Sequence, residues 1–230
     1  MRDASAGVEV LLLRRSQSSG FVPETYVFPG GRVDASDADP DALAWLDDLT
    51  PGAAAERLGL RGADPPAIAY YLAAFRETFE ETGLLLGSLG DGSPPPTAAQ
   101  DSRVDRIRDA LMERRIDFAG ALSRMECRLS GRTVEYFAHW ITPRRMPRRY
   151  DTRFFAAGVE GDSTPIVDPR EMTEARWIAP ARALAEHAQG DLPMILPTVQ
   201  TLEKVRPFAS VAEALEALSL ETVVTILPGG

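Results

Sequence analysis

The chain has 230 residues and a mass of 25.0 kDa, with 44% hydrophobic and 26% charged residues. That is the composition of a folded globular protein long enough to bury a sizeable core. A formal net charge of −9 and a pI near 4.9 argue against a general binder of nucleic acid or of anionic membrane, since both need a positive surface.

A small anionic substrate is still allowed, because a bound cation or a local arginine cluster can invert the field around it. One cysteine, Cys127, permits no intramolecular disulfide, which fits a reducing compartment. With no secretory segment or bilayer-length apolar run to read, a cytoplasmic location is expected, with no membrane partner.

In chain order, residues 7–16 (GVEVLLLRRS) read as a buried strand. Residues 24–34 (ETYVFPGGRVD) read as a strand that breaks at Pro29, Gly30 and Gly31. Residues 35–66, rich in Asp, Ala, Pro and Gly, read as an insert of loops and short helices, with DALAWLDDL and GAAAERLGL as its helical pieces. The next stretch, PAIAYYLAAFRETFEETG, places Ile68, Tyr71, Leu72, Phe75 and Phe79 at spacings of three and four, the apolar stripe of a helix. Pro66 suits its first turn and Gly83 its C-terminal cap.

GDGSPPPT (residues 90–97) is a loop, and residues 98–125 read as a helical segment of one or two amphipathic helices. RLSG, TVEYFAHWITP, TRFFAAGVEG and EARWIAP read as strands. RALAEHAQG, LPTVQTLEKVRPF and SVAEALEAL read as helices, the last two within a C-terminal extension over 190–230. Strands interleaved with helices predict one α/β (α+β layered) domain over residues 1–230.

The helix read over residues 66–83 ends in a physical conflict. Glu77 lies three residues before Glu80 and four before Glu81, so the three share a face and repel by a few tenths of a kcal/mol per pair. They also sit at the negative end of the helix dipole, which disfavours acids by roughly 0.3–1 kcal/mol each. An isolated Glu-Glu pair is ordinarily a solvated helix face. Two local rules broken together, after a strand ending in Phe28, Pro29, Gly30 and Gly31, mark a functional site instead. A hard divalent cation relieves both, because Mg²⁺ takes carboxylate oxygens and shares its shell with phosphate.

The string Arg76, Glu77, Thr78, Phe79, Glu80, Glu81, Thr82, Gly83, Leu84 resembles the second half of the Nudix hydrolase box. That box runs Gly, five residues, Glu, seven residues, then Arg-Glu-apolar-x-Glu-Glu-x-Gly-apolar; Thr78 departs from it at an apolar position. Gly31 supplies the first glycine. From Gly31 to Arg76 the offset is 45 where the box has fourteen, so 31 residues are inserted, and Asp34, Asp37 and Glu56 are the candidates for the early acid. The interruption resembles the branch that includes the mammalian motif-nineteen coenzyme A diphosphatase. LLLRRSQSSGFVPETYVFPGGRVD, ITPRRMPRRYDTRFFAA, EARWIAP and LPTVQTL fit the same branch. Related chains carry an apolar strand before residues 7–16. MRDASAG begins about where that strand would end, so the edge strand is expected to be lacking, or the start assigned late.

The resemblance implies an α/β/α sandwich with a mixed central sheet, and hydrolysis of a diphosphate linkage in a nucleoside diphosphate derivative with Mg²⁺ or Mn²⁺. Coenzyme A or an acyl derivative is the expected substrate. ADP-ribose, NADH or a nucleotide sugar is the alternative, as is a non-catalytic nucleotide sensor on the same fold. Carried over residue by residue, Glu80 and Glu81 hold metal, Glu77 is a further ligand or the base, Arg76 orients the glutamates, and the Gly30 carbonyl completes a metal site. Glu171 is the expected later acid, with Glu174, Asp168 and Glu160 behind it.

Arg144, Arg145, Arg148 and Arg149 form the most basic run, suited to a substrate phosphate such as the 3′-phosphate of coenzyme A, with Arg14, Arg15 and Arg153 as further candidates. His139 and His187 lack zinc-like spacing, and Cys127 reads as a packed thiol. The insert is expected to cap the site or to make a homodimer contact.

Overall fold

The computed structural model describes residues 1–228 apart from 19, 21, 147, 161 and 162. Its elements run β1 (Arg2–Ala4), β2 (Gly7–Arg15), β3 (Tyr26–Val27), a 3-10 turn (Ala35–Ala38), α1 (Pro40–Leu43), β4 (Leu46–Asp47), α2 (Pro51–Leu58) and α3 (Ala67–Thr82). They continue with α4 (Ser102–Met112), α5 (Phe118–Met125), β5 (Leu129–Ser130), β6 (Val134–Ile141), β7 (Asp151–Ala157), β8 (Met172–Ile178), α6 (Pro180–Gln189), α7 (Leu196–Val205), α8 (Val211–Ser219) and β9 (Thr225–Ile226).

One antiparallel sheet is built around β2, with β1 pairing along its start and β3 and β8 flanking its second half. The edge strand expected to be lacking is present as β1, which corrects that expectation. It carries no apolar run because the ladder, an Arg2–Glu9 ion pair at 2.8 Å and the stacking of Arg2 on Trp177 hold it instead. A second, mixed sheet has β6 at its centre, antiparallel to β7 and parallel to β9.

The alternation of side chains along the strands creates the layers. On β2, Val8, Val10 and Leu12 turn toward α6, α7 and α8, whereas Leu11 and Leu13 meet Leu84 and Met172. On β6, Val134 and Tyr136 join the core under α2, α3, α4 and α5, while Phe137 and Trp140 join the core under the C-terminal helices. The result is helices on both sides of the sheets, as an α/β/α sandwich requires.

Residues 35–66 are woven into the core rather than draped over it. Ala42, Leu46, Leu49, Ala54 and Leu58 are all buried against α3 and α5. Of DALAWLDDL only residues 41–43 are helical, as the end of α1, because Leu46 and Asp47 leave to form a parallel ladder with Leu129 and Ser130. Residues 98–125 divide into α4 and α5, each started by an aspartate side chain (Asp101, Asp117) that accepts a backbone N–H.

Helix α3 forms as its apolar stripe predicts: Tyr71, Leu72, Phe75 and Phe79 are fully buried. Pro66 is its N-cap rather than a first-turn residue, and Gly83 ends it in the left-handed conformation at φ 70°. Ala98 sits so close that a side chain at Gly83 would collide with its Cβ. Among the described residues, no helix is long and apolar enough to cross a membrane.

Candidate active site

The last turns of α3 are anchored from three sides. Leu84 is buried with Leu11 and Leu13 of β2, Ile166 donates its N–H to the Thr82 carbonyl at 2.8 Å, and Arg108 of α4 donates its Nε–H to the Glu80 carbonyl at 2.8 Å. Arg108 is 3% exposed, so it places a buried cation at the helix end where the glutamates need one. Nothing in the amphipathic pattern of α4 singles out this arginine; its signal is the contact itself.

Arg76, buried at 4% exposure, is the hub of the site. Its Nε and Nη2 form a two-pronged ion pair with the Asp37 carboxylate, both at 2.8 Å. Its Nη1 donates to Glu77 at 2.9 Å and to Glu80 at 3.3 Å, and its Nη2 also donates to the Arg32 carbonyl at 2.8 Å. Burial works against the guanidinium charge, but the hydrogen bond to Asp37 and the surrounding carboxylates outweigh it and raise the Arg76 pKa.

Asp37 is thus the early acid that meets Arg76. Asp34 and Glu56 do not meet it: their ion pairs, loose at 3.9 Å, are with Arg114 and Arg61 respectively. The sequence held the signal, since Gly31, five residues and then Asp37 reproduces the box spacing with Asp in place of Glu.

The Pro29-Gly30-Gly31 turn reaches the same carboxylates. Gly30, at φ 151°, aims its N–H at Glu81 Oε2, 2.8 Å away. This conformation strongly favours glycine. The contact that Gly30 makes with the glutamates is thus through its amide. Gly31 lies so close to Glu77 that any side chain there would strike the carboxylate.

Burial pushes the Glu77 carboxyl up to about 7, despite Arg76, and the Glu81 carboxyl up to about 8, despite the Gly30 N–H. Burial raises Glu80 as well. Unfolded, these groups titrate near 4.5. Between those values the folded chain holds protons that the unfolded chain has released, so stability falls as pH rises. The contribution is complete below about pH 4.5 and lost as pH climbs through about 7 to 8. In EDTA, the unfolding midpoint is expected to drop by several degrees between pH 5.5 and 8.5, and added Mg²⁺ is expected to reverse most of the drop. A midpoint that stays level or rises over that range would contradict the cause given for the two shifts.

An open cleft of about 310 Å³ runs past Glu81 and is lined also by Arg15, Arg170 and Glu171. Arg15 and Glu171 also act on the Glu81 charge, in opposite directions. These two sequence candidates therefore come together with the helix glutamates. The other acids go elsewhere: Glu174 accepts the Tyr26 hydroxyl at 2.6 Å, Asp168 pairs with Arg170, and the side chain of Glu160 lies in an exposed segment.

Arg144 and Arg145 are exposed in the turn after β6 and line neither the cleft beside Glu81 nor a second cleft lined by Arg32, Arg148, Arg149 and Tyr150. Arg153 is drawn into the sheet, bonded to Asp151 at 2.6 Å and stacked on Tyr70. His139 bridges Asp151 and Thr225, and His187 bonds the Leu192 carbonyl, so both have structural partners. Burial pushes the Cys127 thiol up to about 12, the state of a packed, unreactive cysteine.

Among the described residues, no group of three or more His, Cys, Asp and Glu is gathered tightly enough to hold an ion as it stands. The glutamate oxygens are turned instead to Arg76 and to the Gly30 amide. The donor chemistry nonetheless fits a hard divalent cation, with three carboxylates on two helical turns, each with a pKa raised by burial.

The model of the NUDT19 Nudix domain matches residues 2–205. The acyl-coenzyme A diphosphatase NUDT19 of Xenopus laevis is 28% identical over 89% of this chain, and its Gallus gallus and Homo sapiens counterparts are 30% and 27% identical over 88% and 90%. The matched regions span 61–63% of those relatives' own length. A crystal structure of a NUDIX hydrolase from Alicyclobacillus acidocaldarius superposes with a TM-score of 0.74 at 27% identity, covering 96% of this chain and 93% of that one. With the box residues gathered around Arg76 and the matched region spanning nearly the whole chain, this protein belongs to the NUDT19 Nudix domain family of Nudix hydrolases.

Proposed function

We propose that the protein hydrolyses the diphosphate linkage of coenzyme A or an acyl-coenzyme A, with Mg²⁺ or Mn²⁺ as cofactor. The observation that carries the reading is the Arg76 hub, which ties Asp37, Glu77 and Glu80 together one helical turn from Glu81 and its cleft. Relatives named as acyl-coenzyme A diphosphatases support the substrate class.

In this reading the scissile diphosphate lies along the cleft beside Glu81, where Arg15 offers a positive charge. Glu77, Glu80 and Glu81 would hold the divalent cation, which when bound neutralises the diphosphate and lowers the pKa of its water. Water adds across the P–O–P bridge, and a glutamate facing the cleft accepts its proton. Arg76 fixes where Glu77 and Glu80 point, and the glycine turn fixes Glu81, so the site is held before substrate arrives.

The test is a panel of diphosphate compounds with each metal, products resolved by mass. Release of adenosine 3′,5′-bisphosphate and a phosphopantetheine fragment is expected. Turnover confined to ADP-ribose, NADH or nucleotide sugars would reject the substrate, and no turnover of any compound would reject catalysis.

A further inference from the structure

We propose that Arg32, Arg148, Arg149 and Tyr150 form a second anion subsite, which takes a phosphate monoester carried on the substrate apart from its diphosphate. The inference deepens the diphosphatase reading above and rests on it. The four residues line an open cleft of about 380 Å³. In a chain of net charge −9, three guanidinium groups meeting in one cleft are a local reversal of field. Among the described residues none of the three is ion-paired to a carboxylate, whereas Arg2, Arg76, Arg128, Arg153, Arg170 and Arg176 all are.

The cleft is held in shape by backbone bonds. Thr142 and Tyr150 close the base of the β6–β7 loop, with the Thr142 N–H donating to the Tyr150 carbonyl at 2.9 Å and the Tyr150 N–H to Thr142 Oγ1 at 3.0 Å. Arg149 Nε donates to the Thr142 carbonyl at 3.2 Å, and Arg148 Nη1 to the Gly20 carbonyl at 2.9 Å. A guanidinium carries five N–H donors, so each arginine keeps others for a ligand.

Arg32 connects this cleft to the glutamates. One short loop gives the Gly30 N–H to Glu81, lays Gly31 against Glu77, passes the Arg32 carbonyl to Arg76, and then sends the Arg32 side chain to the second cleft. A ligand with a diphosphate at Glu81 and a further phosphate a short distance away meets both. Arginines recognise a phosphate dianion by paired, charge-assisted hydrogen bonds. Of the basic run, the partners are therefore Arg148 and Arg149, with Arg32, and not Arg144 or Arg145.

The experiment compares wild type with the Arg148→Ala/Arg149→Ala variant by two readouts. Kinetics with coenzyme A and with 3′-dephospho-coenzyme A should show KM for coenzyme A raised roughly 10–100-fold by losing two charge-assisted contacts. KM for the dephospho compound and kcat for both should stay within about twofold. Calorimetric titration with adenosine 3′,5′-bisphosphate and with 5′-AMP needs no turnover; a loss confined to the bisphosphate is expected. The Arg148→Lys/Arg149→Lys variant should keep most of the preference, which guards against a folding defect. Equal effects on both members of either pair, or no effect, would overturn the subsite. If wild type turns over neither coenzyme, the diphosphatase reading falls while the titration still judges the cleft.

Discussion

Asp37→Ala is expected to destabilise the protein by about 3–5 kcal/mol, the usual cost of removing one partner from a buried ion pair. The Asp37 side chain is fully buried and that of Arg76 is 5% exposed, so no water can replace the lost carboxylate without opening the core. The same carboxylate accepts the Asp34 N–H at 2.8 Å, which caps the 3-10 turn, so its loss also frees the start of the insert. In a chain of this size the change is expected to lower the unfolding midpoint by roughly 10 °C or more.

Activity should fall as well, by at least about tenfold, because Glu77 and Glu80 would be the carboxylates left beside Arg76 and would be drawn out of position. Asp37→Asn keeps the volume and an acceptor for the Asp34 amide, and is expected to lie between wild type and alanine. Circular dichroism melts and steady-state kinetics on the same preparations check both effects. A midpoint within about 2 °C of wild type would show that Asp37 is not the anion that holds Arg76.

This dependence also explains what could be read from the chain and what could not. Helix α3 and strand β2 were legible because each carries several repeats of its period: Ile68, Tyr71, Leu72, Phe75 and Phe79 in the helix, Val8, Val10 and Leu12 against Leu11 and Leu13 in the strand. β1, β4 and β9 span two or three residues, too few for a period to show; β1 and β9 exist through ladder bonds to the longer β2 and β6, and β4 through its ladder with the equally short β5.

The glutamates were legible because they sit within five residues of one another. Their compensation was legible in Arg76 and in the box spacing of Asp37, but not in Arg108 or in the geometry that joins them. Asp37 is 39 positions from Arg76 and Arg108 reaches back 28 positions to Glu80, and such pairings are set by how α3 docks rather than by local pattern. For the same reason the Arg144–Arg149 stretch announced positive charge without announcing direction. A turn decides which arginines face Arg32, and it chose the last two.

Glu81→Gln is expected to lower kcat by at least about 100-fold, the scale seen when a key charge-stabilising group is lost. The substitution is nearly isosteric, and a glutamine oxygen can still accept the Gly30 N–H, so the loop geometry should survive. Stability should move the other way. Burial pushes the Glu81 carboxyl up to about 8, which means that ionising it in the folded chain is costly, and a neutral amide removes that cost. The metal-free variant should therefore melt at the wild-type temperature near pH 4 and increasingly above it as pH rises to 8.5.

A loss of turnover with unchanged or greater stability is the signature of a residue kept for chemistry at the expense of the fold. Glu174→Gln is a useful contrast: that side chain bonds Tyr26 away from the helix, and its removal should leave kcat within about threefold. Near-wild-type turnover in Glu81→Gln would remove the α3 glutamates from the catalytic centre and move the search along the cleft to Glu171, the other carboxylate that lines it.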